Sequence, residues 1–386
     1  MLVAIRIRLK PTKEQEVLFW KSAGTARWAY NYFLSESNQI YKEENRTVSE
    51  GDIRKKINNE LKPTTHEWLN EVGSNVMKQA VKDANMARER YFKGISGKPK
   101  FKSRHKCEPK FYVNYESLKR TKEGFQGEKI GIVKTCQALP KLPKGQKYSN
   151  PRISHDGCNW FLSVGYEEEF EEIELTGESL GIDVGIKELA VCSDGEFISN
   201  INKTKTVRRL EKKLHREQRK LSRKLEANTS GRTKDNKPIY KLPLKEIKNI
   251  QKQNGVIRNL HKRLTNIRNN HLHQASSEIV KTKPSRIVME HLNVRGMMKN
   301  KHLAKSVAHQ KLYEFKRQIQ YKCNKYGIEF VEADRWFPSS KTCSCCGEIK
   351  EDLKLKDRVF VCSCGFKLDR DLNAAINLAN YQTQAA

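Results

Sequence analysis

The stretch Leu180-Gly181-Ile182-Asp183-Val184-Gly185-Ile186-Lys187-Glu188-Leu189-Ala190-Val191 decides how the rest of the chain is read. Its apolar run predicts a buried strand that delivers one acidic side chain, Asp183, between small and apolar neighbours. Two later stretches look like its partners. Ile287-Val288-Met289-Glu290 reads as a second buried parallel strand with its acid at the end. Asp369-Arg370-Asp371-Leu372-Asn373-Ala374-Ala375 opens a helix whose small residues allow close packing on a sheet. Carboxylates at strand ends are hard oxygen ligands that suit Mg²⁺ or Mn²⁺. Two such ions about 4 Å apart are what phosphodiester cleavage uses to activate water and steady the leaving oxygen. Taken singly, each acid also has an ordinary reading: Asp183 in a turn, Glu290 in a sheet-end ion pair, Asp369 or Asp371 as a helix N-cap.

Charge narrows the partner. The 386 residues leave room for two or three domains. They carry 75 Lys and Arg against 45 Asp and Glu, a net charge of +30. A field of that sign concentrates polyanions, and binding a phosphate backbone is its usual use; a merely soluble basic protein is the alternative. The excess is concentrated between Lys203 and Arg268, with 22 basic and 5 acidic residues. There Leu210, Leu214, Leu221 and Leu225, then Val256, Leu260, Leu264 and Ile267, recur at helical spacing. Two amphipathic helices joined by a loop from Asn228 to Pro238 are expected. A nucleic-acid-facing hairpin fits this charge density better than a coiled-coil hairpin with a solvated basic face. Met1-Leu2-Val3-Ala4-Ile5-Arg6 is too short and too soon charged for a signal peptide, and no run of roughly 18 apolar residues exists. A cytoplasmic protein without membrane contact is expected.

Residues 1–10 alternate apolar and basic, as a half-exposed strand does. Thr12 and Gln15 form a capping-box pattern for a helix carrying Leu18, Trp20, Ala26, Trp28, Ala29 and Phe33, with a break expected near Gly24. A further helix is predicted from Ser74 to Phe92, so 11–95 reads as a small helical module. Gly94 to Ser103 is a basic loop around Phe101. It suits phosphate contacts with a stacked base or sugar, or else is a linker whose Phe101 plugs the core. Between 109 and 170 the short strands Lys110–Val113, Gly131–Val133 and Trp160–Val164 suggest a small barrel, completed by residues 1–10. The acidic run Glu167–Glu172 marks a solvated boundary.

Cys107, Cys136, Cys158, Cys192 and Cys323 are scattered, whereas Cys343, Cys345, Cys346, Cys362 and Cys364 cluster. This pattern points to a reducing compartment and one metal site rather than a disulfide framework. Cys343-x2-Cys346 and Cys362-x-Cys364 fit a tetrahedral four-thiolate zinc site on two knuckles. Gly347 and Gly365 follow the last cysteine of each, where tight turns call for positive φ. Cys345 is an extra thiol able to substitute for Cys364.

Gly181-Ile182-Asp183-Val184-Gly185, Met289-Glu290-His291-Leu292 and Asp369 to Asn377 resemble, in order, the three RuvC motifs of the TnpB family. These are transposon-encoded RNA-guided DNA endonucleases related to type V CRISPR effectors. Pro11-Thr12 with Gln15, then Arg27, Tyr30 and Asn31, resembles the family's N-terminal signature. Lys98-Pro99-Lys100-Phe101-Lys102-Ser103 resembles its Pro-Arg-Phe-Lys-Ser segment, with Lys100 for the usual Arg, and Phe337 to Cys343 resembles the lead-in to its zinc motif. The second knuckle is one residue shorter than the family's usual Cys-x2-Cys.

The resemblance implies a multidomain α+β protein. Residues 1–10 and 104–178 would form an N-terminal β-barrel, interrupted by a helical recognition module at 11–103. Residues 179–338 and 366–386 would form a RuvC-like, RNase H-type α/β nuclease domain, with a basic helical insertion at 203–275 and a zinc ribbon at 339–365. Asp183, Glu290 and Asp371 become the catalytic Mg²⁺ (or Mn²⁺) ligands, with Asp371 rather than Asp369 as the third. Cys343, Cys346, Cys362 and Cys364 become a structural Zn²⁺ set. Arg27, Tyr30, Asn31, Lys98, Lys100, Phe101 and Lys102 are candidate nucleic-acid contacts. The implied partners are a guide RNA and double-stranded DNA, cut beside a short target-adjacent motif. The rivals are a nuclease-inactive RNA-guided DNA-binding repressor, which would lack the acids, and an RNase H-like transposase, which would share them.

Overall fold

A computed structural model describes residues 2–104, 106–168, 173–354 and 357–382. Of the acidic run Glu167–Glu172, residues 169–172 lie outside the described residues, as do 383–386 at the end of the expected nuclease segment. The chain divides into two compact units, Met1–Glu169 and Phe170–Ala386.

In the first unit, alternation along β1 (Leu2–Lys10) turns Ile7 and Leu9 into the core. The helix α1 (Lys13–Glu44) starts at the Thr12–Gln15 capping box, with both reciprocal hydrogen bonds made. It runs unbroken through Gly24, contrary to the expected break. A helical glycine costs only about 1 kcal/mol, and the buried stripe Phe19, Ala23, Ala26, Ala29 and Phe33 spans the position. There follow α2 (Glu50–Lys56), a π-helical turn Ile57–Leu61, α3 (Lys62–Thr64) and α4 (Ser74–Phe92).

The sheet strands are β2 (Lys110–Tyr112), β3 (Lys119–Arg120), β4 (Gly124–Gly127), β5 (Gly131–Thr135), β6 (Ser149–His155) and β7 (Trp160–Glu167). With β1 they form a seven-stranded antiparallel sheet of order β2-β6-β7-β1-β5-β4-β3. Leu2 to Arg8 of β1 pair with β7, whereas only Leu9 and Lys10 pair with β5, so β1 passes from one half of the sheet to the other at its end. Among the described residues no ladder joins the outer strands β2 and β3. Helices and sheet share one continuous apolar core.

The second unit is built on a five-stranded sheet of order β10-β9-β8-β13-β14. Its members are β8 (Ser179–Val184), β9 (Ala190–Cys192), β10 (Phe197–Ile198), β13 (Arg286–Met289) and β14 (Glu329–Glu332). As the continuous apolar runs predict, β8, β13 and β14 are parallel. Between β10 and β13 stand a 3₁₀ turn at Ile201–Lys203 and the long helices α5 (Lys205–Ala227) and α6 (Lys248–Lys281). Val207, Leu210, Leu214, Leu260 and Leu264 form the seam between these helices. The expected loop at the tip is partly ordered, with β11 (Thr229–Arg232) pairing with β12 (Pro238–Tyr240).

The remaining elements are α7 (Val294–Lys299), α8 (Ala304–Gln310), α9 (Leu312–Tyr326), β15 (Val359–Val361), β16 (Lys367–Asp369) and α10 (Arg370–Ala379). Lys311, at φ 55°, separates α8 from α9, a break the sequence does not advertise. Successive strand residues face opposite sides. Ile287 and Met289 pack with Leu272, Ile279 and Phe315 of α6 and α9, while Val288 packs with Leu378 of α10. Helices therefore cover both faces. No helix among the described residues is long and apolar enough to cross a membrane.

Candidate active site and thiolate cluster

The register of β8 against β13 sets the first two acids. Gly181 stands opposite Val288 and Ile182 opposite Met289, so Asp183 and Glu290 follow at the same level on adjacent parallel strands. They fall on the face that carries Val288, the side covered by α10. The backbone N–H of Val184 donates to the Glu290 carboxylate.

Gly181 brings in the third acid. A Cβ there would lie 3.0 Å from the carbonyl carbon of Ala375 and closer still to that residue's oxygen and to the nitrogen of Ala379. Only glycine lets α10 sit this close on β8. From Ala375 back to Asp371 is one helical turn, about 6 Å, and from Gly181 on to Asp183 is about 6.6 Å of strand. The N-terminal turn of α10 thus reaches the level of Asp183. Asp369 caps that helix, its Oδ1 accepting from the N–H of Asp371 (2.9 Å) and of Leu372 (3.3 Å). Asp371 is left free of capping, with the Arg370 guanidinium 3.5 Å from its Oδ1.

The electrostatics record the convergence. Burial first, then repulsion from Glu290 and Asp371, push the Asp183 carboxyl well above the usual range; Arg370 pulls the other way and Asp369 adds to the rise. Burial and Asp371 raise Glu290 to about 7 against the hydrogen bond from Val184. Carboxylates packed together with so little compensating positive charge favour a bound cation. Among the described residues the three acids do not form a set within reach of a single ion.

The cysteines do form such a set. The Sγ atoms of Cys343, Cys346, Cys362 and Cys364 all lie within 4.8 Å of one another. Cys343 is 3.8 Å from Cys364, and Cys346 is 3.5 Å from Cys362. Four sulfurs at about 2.3 Å from a central zinc would be separated by about 3.8 Å. Gly347 (φ 77°) and Gly365 (φ 87°) take the left-handed turns expected of them. Cys364 belongs to the set despite the shortened knuckle, and Cys345 lies exposed outside it. Against its own desolvation, backbone N–H groups of Cys346 and Cys345 bring the Cys343 thiol down to about 7.

Two asparagines that drew no role from the sequence join the acids to the thiolates. Asn373, fully buried on α10, donates to the Thr342 carbonyl (2.7 Å) and accepts from the Ser344 N–H (3.0 Å). Asn377 donates to the carbonyls of Ser339 (2.8 Å) and Thr342 (2.6 Å). The helix that carries Asp371 therefore also holds the first knuckle. Their spacing of four, one turn of an amphipathic helix, was the available signal.

The candidate nucleic-acid contacts separate by environment. Asn31 clamps the backbone of Lys102 with two hydrogen bonds, and the Lys102 ammonium lies 3.4 Å above the Tyr30 ring, so Tyr30 and Asn31 anchor the 98–103 loop to α1. Lys98, Lys100 and Phe101 project from it exposed. Arg27 and Lys102 line a cavity of about 280 Å³ with the ion pair Asp83–Arg152. Burial and the neighbouring Lys110 lower Lys102 to about 8. In the second unit, Lys205, Arg208, Arg209, Lys212, Arg216 and Arg219 line an open groove along α5.

Comparison with known proteins follows the same lines. Residues 162–301 match the family model described as "Probable transposase" and 313–378 that of the "Cas12f1-like, TNB domain". Residues 1–46 match a "Helix-turn-helix domain", although they hold β1 and the uninterrupted α1. A Streptomyces pristinaespiralis protein named "Putative RNA-guided DNA endonuclease" is 30% identical across 97% of this chain and 88% of its own length. InsQ of Escherichia coli K12, named in the same way, is 26% identical across 98% and 91%. The Cas12f1 chain of a Cas12f1–sgRNA–target DNA complex matches at 18% identity over 98% of this chain and 99% of that one, with a TM-score of 0.37.

Proposed function

Because the chain belongs to the TnpB family of RNA-guided DNA endonucleases, we propose that Asp183, Glu290 and Asp371 are the catalytic carboxylates of a RuvC-like, RNase H-type domain that cuts guide-selected double-stranded DNA. One observation carries this reading. Acids from three distant stretches approach one another on one face of a parallel sheet, at the N-terminal turn of a helix seated on Gly181, where burial and neighbouring carboxylates raise Asp183 and Glu290.

These carboxylates would hold Mg²⁺ or Mn²⁺, which when bound supplies activation of water and stabilisation of the leaving oxygen. The protein's share is positioning. The strands hold Asp183 and Glu290 level, the Val184 N–H orients Glu290, and the capped first turn of α10 presents Asp371 beside Arg370. The retained acids count against an inactive repressor. Cys343, Cys346, Cys362 and Cys364 would hold a structural Zn²⁺ within the 339–365 ribbon, joined to α10 by Asn373 and Asn377.

Domain roles follow from chemistry. The cationic face of α5, in the insertion at 203–275, fits the phosphates of the guide–target duplex. Residues 1–10 and 104–178, read as a barrel-like domain, with the helical module at 11–103, would hold guide RNA and the motif beside the target. Lys98, Lys100 and Phe101 would act as exposed contacts there. The six cysteines outside the proposed zinc set form no disulfide among the described residues, which fits a reducing cytoplasm.

The test is to purify the protein from cells that carry its locus, sequence the RNA that accompanies it, and challenge the complex with plasmids matching that RNA. A defined transcript with a variable end, and guide-dependent double-strand breaks in Mg²⁺, are expected. Heterogeneous RNA without guide-matched cutting would refute the reading, and joined donor–target products would indicate a transposase.

A further inference from the structure

Just beyond Asp183 and Val184 the chain leaves β8 in an irregular stretch, Gly185 to Glu188, and is back in the sheet by Ala190. Such a loop has no ladder to hold its carbonyls, yet polar side chains satisfy each of them. Gln310, at the C-terminal end of α8 and only 3% exposed, donates its Nε2 to the carbonyls of both Gly185 and Glu188 (3.2 Å each). Asn200 donates to the Ile186 carbonyl (2.7 Å) and Lys203 to that of Lys187.

The network continues away from the loop. The Oε1 of Gln310 accepts from Asn202 (3.1 Å), and the Oδ1 of Asn202 accepts from the Nε of Arg268 on α6 (2.7 Å). Arg268, itself buried, donates through a terminal nitrogen to Glu211 on α5 (2.7 Å). An amide that bridges two backbone carbonyls at the exit of the catalytic strand is poorly explained as core filler. A buried arginine fixed to both helices at the base of the hairpin is equally specific.

We propose that Gln310 is a positioning residue for Asp183. In this account the Gln310–Asn202–Arg268–Glu211 chain ties the loop that sets the Asp183 carboxylate to the base of the basic hairpin, which serves as the fixed backing against which that loop is held. The inference rests on reading Asp183 as a metal ligand.

The test compares the wild-type guide-RNA complex with Gln310→Met, which keeps side-chain length and removes both donors, and with Arg268→Lys, which keeps the charge and loses the two-sided bridge. At saturating DNA, Gln310→Met is expected to cut about 10- to 100-fold more slowly, the range for sub-ångström to 1 Å misplacement of a reacting group. Half-saturating DNA should be unchanged, half-saturating Mn²⁺ raised, and amide exchange faster across residues 186–189 alone. Arg268→Lys should show the same pattern more weakly. A rise in half-saturating DNA with an unchanged maximal rate would overturn the proposal, because it makes Gln310 a binding residue. Wild-type rate and Mn²⁺ dependence in either folded variant would also overturn it. Asp183→Ala separates the two levels. If that variant still cuts, the assignment of the acids fails; if it is silent while Gln310→Met behaves as wild type, the relay alone fails.

Discussion

Replacing Gly181 with alanine tests the packing that assembles the site without touching any acid. The added Cβ would stand 3.0 Å from the Ala375 carbonyl carbon, with the carbonyl oxygen nearer still. Carbon–carbon contacts are comfortable at about 3.5–4.0 Å, so β8 and α10 must part by roughly 1 Å. The obstruction is helix backbone, which cannot rotate aside as a side chain would. Overpacking of this kind costs about 1–3 kcal/mol of stability. Asp371 travels with α10 while Asp183 stays with β8, and a 1 Å misplacement at a reacting centre costs on the order of 100-fold in rate. Single-turnover cleavage of a guide-matched plasmid in saturating Mg²⁺ should therefore fall by about two orders of magnitude, while guide RNA is still bound and the thiolate cluster still takes up metal. Cleavage within about threefold of wild type, in a complex that melts normally, would refute the claim that the Gly181–α10 contact places Asp371.

Three further outcomes follow from other parts of the structure. Replacing Arg209, Lys212 and Arg216 together with alanine should reduce the slope of log affinity against log salt for nucleic acid by about 2–3; an unchanged slope would mean that α5 does not meet phosphates. Cys364→Ser should lower the bound zinc measured by mass spectrometry and Cys345→Ser should not, and the opposite result would show that Cys345 is the fourth ligand. Lys322 is buried with its ammonium donating to the His273 carbonyl and the Ser276 and Ser277 hydroxyls, and burial lowers it to about 8. A cation whose folded value is depressed weakens the fold below that value, and the penalty fades as pH rises from about 8 toward the unfolded value near 10.4. Wild-type stability relative to Lys322→Met should therefore gain about 1–2 kcal/mol between pH 7 and 10, allowing for solvent screening; parallel curves would contradict this.

What the sequence makes legible is local and periodic. Glu290 follows one apolar run and Asp183 sits one residue before the end of another, and runs of that kind become parallel strands. The knuckle cysteines declare themselves by spacing, and the two long basic helices by their leucines. Gly24 shows where local reasoning misleads, because a buried stripe on both sides carries α1 straight through it. Lys311 shows the reverse, since nothing near it marks a left-handed residue between α8 and α9. Tyr30 and Asn31 matched a signature, and in the structure they hold Lys102, Asn31 by its backbone and Tyr30 by its ammonium. The relay through Gln310 was out of reach. Its bonds join residues 122 and 125 positions apart, and an isolated glutamine has no pattern to announce them. The clamp of Asn373 and Asn377 on the first knuckle left only their spacing of four as a signal, which marks a shared helix face but not its partner.

The central claim is that Asp183 is one of three carboxylates at which DNA is cut, and one substitution tests it most directly. The guide-RNA complex of Asp183→Ala is incubated with a matching plasmid in Mg²⁺, with guide binding and DNA binding measured on the same preparation. Intact binding and no cleavage are predicted. Full cleavage by that complex would contradict the account.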